Sequence, residues 1–69
     1  MTRTPLESSV LAAAGYDAAH AKLEIEFQSG DVYTYFAVPK RVFEELLASA
    51  SKGKFFGQKI ANTYPFEKH

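Results

Sequence analysis

The clearest pattern in the chain is an alternation of apolar and polar residues from Ala21 to Gln28. This pattern is typical of a strand with one face in water. The turn Ser29-Gly30-Asp31 follows, and the β-branched and aromatic run from Val32 to Ala37 predicts the partner strand of a hairpin. The apolar members of the first strand are Leu23, Ile25 and Phe27.

Two helices are predicted after the hairpin. Pro39 suits the first position of a helix, because its missing N–H would have no partner there. We expect the first helix to end near Ser51-Lys52-Gly53, and the second to run from about Lys54 to the segment 62–65. Residues at helical spacing form one apolar stripe on each helix. The stripes are Val42, Phe43, Leu46, Leu47 and Ala50 on the first, and Phe56, Ile60 and Tyr64 on the second.

The segment before the hairpin is less regular. We predict a first strand at Ser8–Ala14, closed by a turn at Gly15-Tyr16-Asp17. Residues 1–7 are expected to be a flexible leader and residues 65–69 a tail, which leaves a single domain at 8–64. The predicted fold class is α+β, with a short antiparallel β-meander of three strands followed by two C-terminal helices.

The turn decides which way Tyr33 and Tyr35 point. A two-residue loop at Ser29-Gly30 places both tyrosines on the wet face beside Glu24 and Glu26. A bulge at Gly30 shifts the register by one residue, buries both tyrosines and turns Thr34 to water. The late position of the glycine favours the bulge slightly, and both registers remain open at this stage.

Charge is unevenly spread along a chain with no net charge, in which eight basic residues balance eight acidic ones. The segment 17–31 is acidic, and the segment 40–59 is basic. Lys40 and Arg41 stand four residues before Glu44 and Glu45, so ion pairs along the helix are expected. The bases of the second segment are Lys40, Arg41, Lys52, Lys54 and Lys59.

No residue combination indicates catalysis. The chain has 69 residues, no cysteine and two histidines, His20 and His69, far apart in sequence. No spacing links a nucleophile to an oriented base, and no cluster suits a metal ion. We expect neither enzymatic activity nor a cofactor. No apolar run approaches the roughly 20 residues that cross a bilayer, so a cytoplasmic location without membrane contact is expected.

Several short motifs, taken in order, resemble the KTSC family. The motifs are Ser8-Ser9, Gly15-Tyr16-Asp17, Leu23-x-Ile25-x-Phe27, Gly30-x-x-Tyr33-x-Tyr35, Val38-Pro39 and Ala50-Ser51-x-Gly53. That family is named for a small domain at the C-terminus of some lysyl-tRNA synthetases, and it also occurs as stand-alone bacterial proteins. The resemblance implies a small binding domain and suggests RNA as the partner.

The leading hypothesis is therefore a non-catalytic RNA-binding module. Aromatic rings would stack on bases while basic side chains contact phosphates. The alternative is a protein-interaction module, an adaptor or small inhibitor, in which the aromatics are core; the protein is expected to be a monomer or a homodimer. The candidate nucleic-acid-binding residues are Tyr33, Tyr35, Lys40, Arg41, Lys52, Lys54, Phe55 and Lys59.

Overall fold

A five-stranded antiparallel sheet carries two helices in this protein, for which a computed structural model describes residues 3–69. The strands lie in chain order across the sheet, and both helices fall between the fourth and fifth strands. The α+β class is confirmed. The elements are β1 (Arg3–Pro5), β2 (Leu11–Asp17), β3 (Lys22–Phe27), β4 (Val32–Tyr35), α1 (Lys40–Ala48), α2 (Lys52–Lys59) and β5 (Phe66–Lys68).

The predicted number of strands, three, is wrong. Residues 3–5 and 66–68 form strands at the two edges of the sheet, although the sequence pattern assigned them to a leader and a tail. Each is only three residues long and all its residues are exposed, so it has no alternation of buried and exposed positions to detect. Pairing with β2 and β4 holds these segments in place. Met1 and Thr2 of the expected leader lie outside the described residues.

The β3–β4 hairpin has the bulged register. Gly30 has a φ of 97°, a left-handed conformation that glycine adopts without strain. Its N–H donates to the carbonyl of Phe27, and the Phe27 N–H donates to the carbonyl of Asp31, both at 2.9 Å. Tyr35 consequently lies opposite Leu23 and Tyr33 opposite Ile25. The tyrosines therefore share the face that the helices cover.

The other face of the sheet is not covered by helices, and we call it the open face. Gly15, predicted in a turn, lies within β2 between Arg3 of β1 and Glu24 of β3. Because glycine has no side chain, the Arg3 guanidinium reaches across it to donate to Glu24, and its Nη1 donates to Glu26 at 2.8 Å. A side chain thus links the first strand to the third.

Thr34 also lies on the open face, but it is not in water as the bulged register predicts. It is only 8% exposed, because β5 lies beside it with Glu67 directly opposite. Its Oγ1 is 2.5 Å from Nε2 of His69. The unforeseen fifth strand explains this error.

The core lies between the sheet and the two helices. Leu23 and Ile25 of β3 are fully buried, and so are Leu46 of α1 and Ile60, which follows α2. The helices begin and end within a few residues of the predicted bounds. α1 ends at Ala48, before the predicted Ser51-Lys52-Gly53 segment. Apolar burial is the main stabilising term in a domain of this size.

Candidate functional site

Tyr33 and Tyr35 belong to a cluster of five aromatic rings on the helix side of the sheet. Tyr35 is 3% exposed, and its ring packs edge-on against Phe56 at a centroid distance of 5.5 Å. Tyr33 is half-buried and packs edge-on against Phe27 at 5.3 Å. This cluster, which we call the aromatic cluster, consists of Phe27, Tyr33, Tyr35, Phe56 and Phe66.

Burial assigns Tyr35 to the core. A base needs a free ring face on which to stack, and the neighbours of Tyr35 leave it none. Burial also raises the pKa of its hydroxyl above the ordinary 10.0, with a smaller contribution from Tyr33. Phe66, which the sequence did not single out, is the exposed member of the cluster at 53%.

A second group of predicted residues lies between the two helices, in what we call the interhelical cleft. Arg41 comes from the first turn of α1, whereas Phe55 and Lys59 lie one turn apart on α2. The cleft encloses about 490 Å³, which falls within the usual range for small-molecule sites. Its lining residues are Arg41, Val42, Glu45, Phe55, Lys59 and Tyr64.

Three of these lining residues, Val42, Glu45 and Tyr64, were not among the candidates. Tyr64 was placed on the apolar stripe of the second helix, but that helix ends at Lys59 and Tyr64 follows it in a turn. Glu45 is one helical turn after Arg41 and brings a negative charge into the cleft. Helical spacing relates Arg41 to Glu45 and Phe55 to Lys59. Spacing within one helix does not predict that the two helices pack together to form the cleft, because that depends on tertiary contacts.

The cations of the cleft are not neutralised by partners. Within residues 3–69, neither Arg41 nor Lys59 forms a salt bridge, and both are exposed. The expected pairs Lys40–Glu44 and Arg41–Glu45 do not form in this part of the chain, so that prediction is wrong. The first turn of α1 has no acidic residue to offset the positive end of the helix dipole. This end of the cleft is therefore electropositive.

The remaining basic candidates lie outside the cleft. Lys52 Nζ donates to the Ser49 carbonyl at 2.9 Å at the start of α2. Lys52 and Lys54 line a smaller groove of about 240 Å³ with Ser8 and Ser9. Lys40 is exposed at the first position of α1. The eight candidates thus fall into separate places. The interhelical cleft brings together Arg41, Phe55 and Lys59, whereas Tyr33 and Tyr35 lie in the aromatic cluster and Lys52 and Lys54 in the smaller groove.

Other groups offer little chemistry in the described residues. From residue 3 to residue 69, no three His, Cys, Asp or Glu side chains come close enough to hold a metal ion. His20 Nδ1 is 2.8 Å from Asp17 Oδ2, and this hydrogen bond lowers the pKa of Asp17. Neither helix of the described chain is long and apolar enough to cross a membrane.

Comparisons with known proteins agree on one family. The sequence model of the KTSC domain family matches residues 7–64 of this chain. A protein of Tsukamurella paurometabola is 49% identical over 51 residues, which cover 74% of this chain and 76% of that one. A lysine–tRNA ligase of Nostoc punctiforme is 42% identical over 62 residues, covering 90% of this chain but 11% of the ligase. The crystal structure of a KTSC domain protein from Yersinia pestis superposes with a TM-score of 0.96 at 34% identity, covering 99% of this chain and 96% of that one.

Proposed function

The chain belongs to the KTSC domain family, and on that premise we propose that it is a non-catalytic module that binds single-stranded RNA in the interhelical cleft. The observation that carries the proposal is the pairing of unneutralised cations with aromatic rings in one concave site. Arg41 and Lys59 line the cleft together with Phe55 and Tyr64. Proteins that bind single strands combine basic side chains with stacking platforms in this way.

Similarity to a longer protein supports RNA as the ligand. One relative of this chain is a lysine–tRNA ligase, which acts on an RNA. The similarity covers 11% of that ligase, so it bears on a module and not on aminoacylation. Among the residues that line the cleft, Glu45 is the one carboxylate, beside the two cations Arg41 and Lys59.

The charged and aromatic residues that line the cleft have different roles in the proposal. Arg41 and Lys59 contact phosphates, and the half-buried rings of Phe55 and Tyr64 receive one base. Glu45 opposes phosphate and weakens binding. The basic residues outside the cleft extend the path of the RNA backbone; they are Lys40, Lys52 and Lys54. Tyr33 and Tyr35 have a packing role in this proposal.

The salt dependence of RNA binding tests the proposal. Anisotropy of a labelled mixed-sequence single strand is measured against the protein at several salt concentrations. Each phosphate contact contributes about −0.7 to the slope of log K against log salt. Arg41→Gln and Lys59→Gln should each make the slope less negative by about 0.7, whereas the control Lys68→Gln on β5 should leave it unchanged.

Two further variants separate stacking from charge. Phe55→Leu should weaken binding by about 1 kcal/mol or more without changing the salt slope. Glu45→Gln should tighten binding, because it removes a like charge from the phosphate path. Absence of binding at low salt would contradict the proposal, and so would equal slopes for the wild type, Arg41→Gln and Lys59→Gln.

A further inference from the structure

The two edges of the sheet differ in what they offer to another strand. At the β1 edge, the Leu6 N–H donates to the Ala12 carbonyl at 2.9 Å. Backbone groups alternate in direction along a strand. The backbone groups of Thr4 therefore face β2, and those of Pro5 face outward. Proline has no N–H and therefore cannot extend the ladder. This edge is protected against strand addition.

The β5 edge lacks that protection. The Phe36 N–H donates to the Pro65 carbonyl at 2.9 Å, and the His69 N–H donates to the Val32 carbonyl at 2.8 Å. By the same alternation the backbone N–H and C=O groups of Glu67 face β4, while those of Phe66 and Lys68 face outward. Each of these two residues offers one donor and one acceptor to a neighbouring strand. Unpaired edges of this kind are templates for strand addition.

Side chains beside this edge define what would bind. Phe66 is 53% exposed, and its ring lies 5.4 Å from Tyr33 and 5.5 Å from Tyr35 by centroid distance, so it is held in place on one side. Glu67 projects to the open face, where it is exposed and forms no salt bridge with the described residues. The edge therefore pairs a fixed apolar anchor with an unneutralised negative charge.

We propose that the β5 edge binds an extended peptide as a sixth strand, with an apolar residue beside Phe66 and an adjacent basic residue beside Glu67. Successive residues of a strand point to opposite faces, so such a peptide satisfies both groups at once. The backbone bonds to Phe66 and Lys68 supply affinity. The alternation of apolar and basic side chains supplies specificity.

Charge argues against a second copy of this chain as the occupant. Antiparallel pairing of β5 with itself uses the whole strand when it is centred on Glu67. That arrangement places Glu67 directly opposite the same residue of the other copy, and like charges in that position destabilise a sheet. A basic peptide residue removes this repulsion. The residues that line the interhelical cleft include none from β5, so the two proposed binding surfaces share no residue of this strand.

Amide resonances of the full chain test the proposal. The probe is a capped peptide Thr-Val-Lys-Val-Thr, compared with the same peptide carrying Glu in place of Lys. The Phe66 and Lys68 amides should shift and gain protection from hydrogen exchange as they acquire carbonyl partners. We expect about two- to fivefold tighter binding of the lysine peptide, the range that one cross-strand charge pair provides.

Two variants and the outcomes that would contradict the proposal complete the test. Glu67→Lys should reverse the preference between the peptides, and Phe66→Ala should weaken the binding of both. Equal affinity for the two peptides, or shifts outside β5 only, would overturn the proposal. Concentration-dependent dimerisation of the free protein through β5 would assign the edge to a second copy instead. Shifts of the Phe66 and Lys68 amides on adding RNA in place of the peptide would also refute it.

Discussion

Replacing Gly57 by alanine should stabilise this protein measurably. α2 contains two glycines in eight residues, and no side chain caps its N-terminus. A Cβ at Gly57 would have no atom within 4 Å, so the methyl group costs no packing. Glycine in an exposed helix interior is about 0.8–1.0 kcal/mol less favourable than alanine. We therefore expect the free energy of unfolding to rise by about 1 kcal/mol.

Gly30→Ala is the matched control, since it makes the same chemical change at another open position. A Cβ at Gly30 also meets nothing within 4 Å, but the residue has a φ of 97°. A left-handed backbone conformation destabilises an alanine by about 1–2 kcal/mol. The lower conformational entropy of the unfolded alanine chain offsets about 0.4–1 kcal/mol of this cost. The net result should be a loss of about 1 kcal/mol, opposite in sign to Gly57→Ala.

Thermal and urea unfolding followed by circular dichroism measure both changes. For a domain of this size 1 kcal/mol corresponds to a shift in Tm of about 4–8 °C. With an m-value near 1 kcal/mol/M, the urea midpoint should move by about 1 M. A destabilised Gly57→Ala, or two variants that shift in the same direction, would refute the conformational reasoning.

Two more changes test the backbone and the aromatic cluster. Ala37 has a φ of 59°, so Ala37→Gly should raise the free energy of unfolding by about 0.5–1 kcal/mol, while Ala48→Gly at the end of α1 should lower it; equal effects in urea melts would contradict this. Burial raises the pKa of Tyr35 in the folded state, so its contribution to stability is complete below the unfolded value near 10 and is lost as pH rises through the folded value. Tyr35→Phe should make unfolding less sensitive to alkali in melts above pH 10, and an unchanged profile would count against burial as the cause.

Local patterns in the sequence predict the elements that are long enough to show a periodicity. The alternation around Leu23 and Ile25 and the apolar stripes of α1 and α2 each extend over several residues, so they predict strand and helix independently of tertiary contacts. β1 and β5 have three residues each, and only the neighbouring strands make them part of the sheet. No periodicity within the segment 66–68 indicates such pairing.

The orientation of Tyr33 and Tyr35 shows a different limit of sequence patterns. Period two places both on one face but does not say which, because a single bulge residue, Gly30, sets the register. Prediction of the interhelical cleft meets a similar limit at the level of tertiary structure. Spacing on α2 brings Phe55 and Lys59 together, but the position of Tyr64 depends on how the chain turns after Ile60.

The strand order gives the domain two widely separated points of entry and exit. β1 and β5 occupy opposite edges of the sheet, and four inter-strand spacings separate them by about 19 Å. In a longer protein that contained this fold between two other segments, the width of the sheet would keep those two segments apart. Joining residue 3 to residue 68 in a circular permutant would need a linker of at least about six extended residues. The strand order would therefore set the minimum distance between segments attached at the two edges.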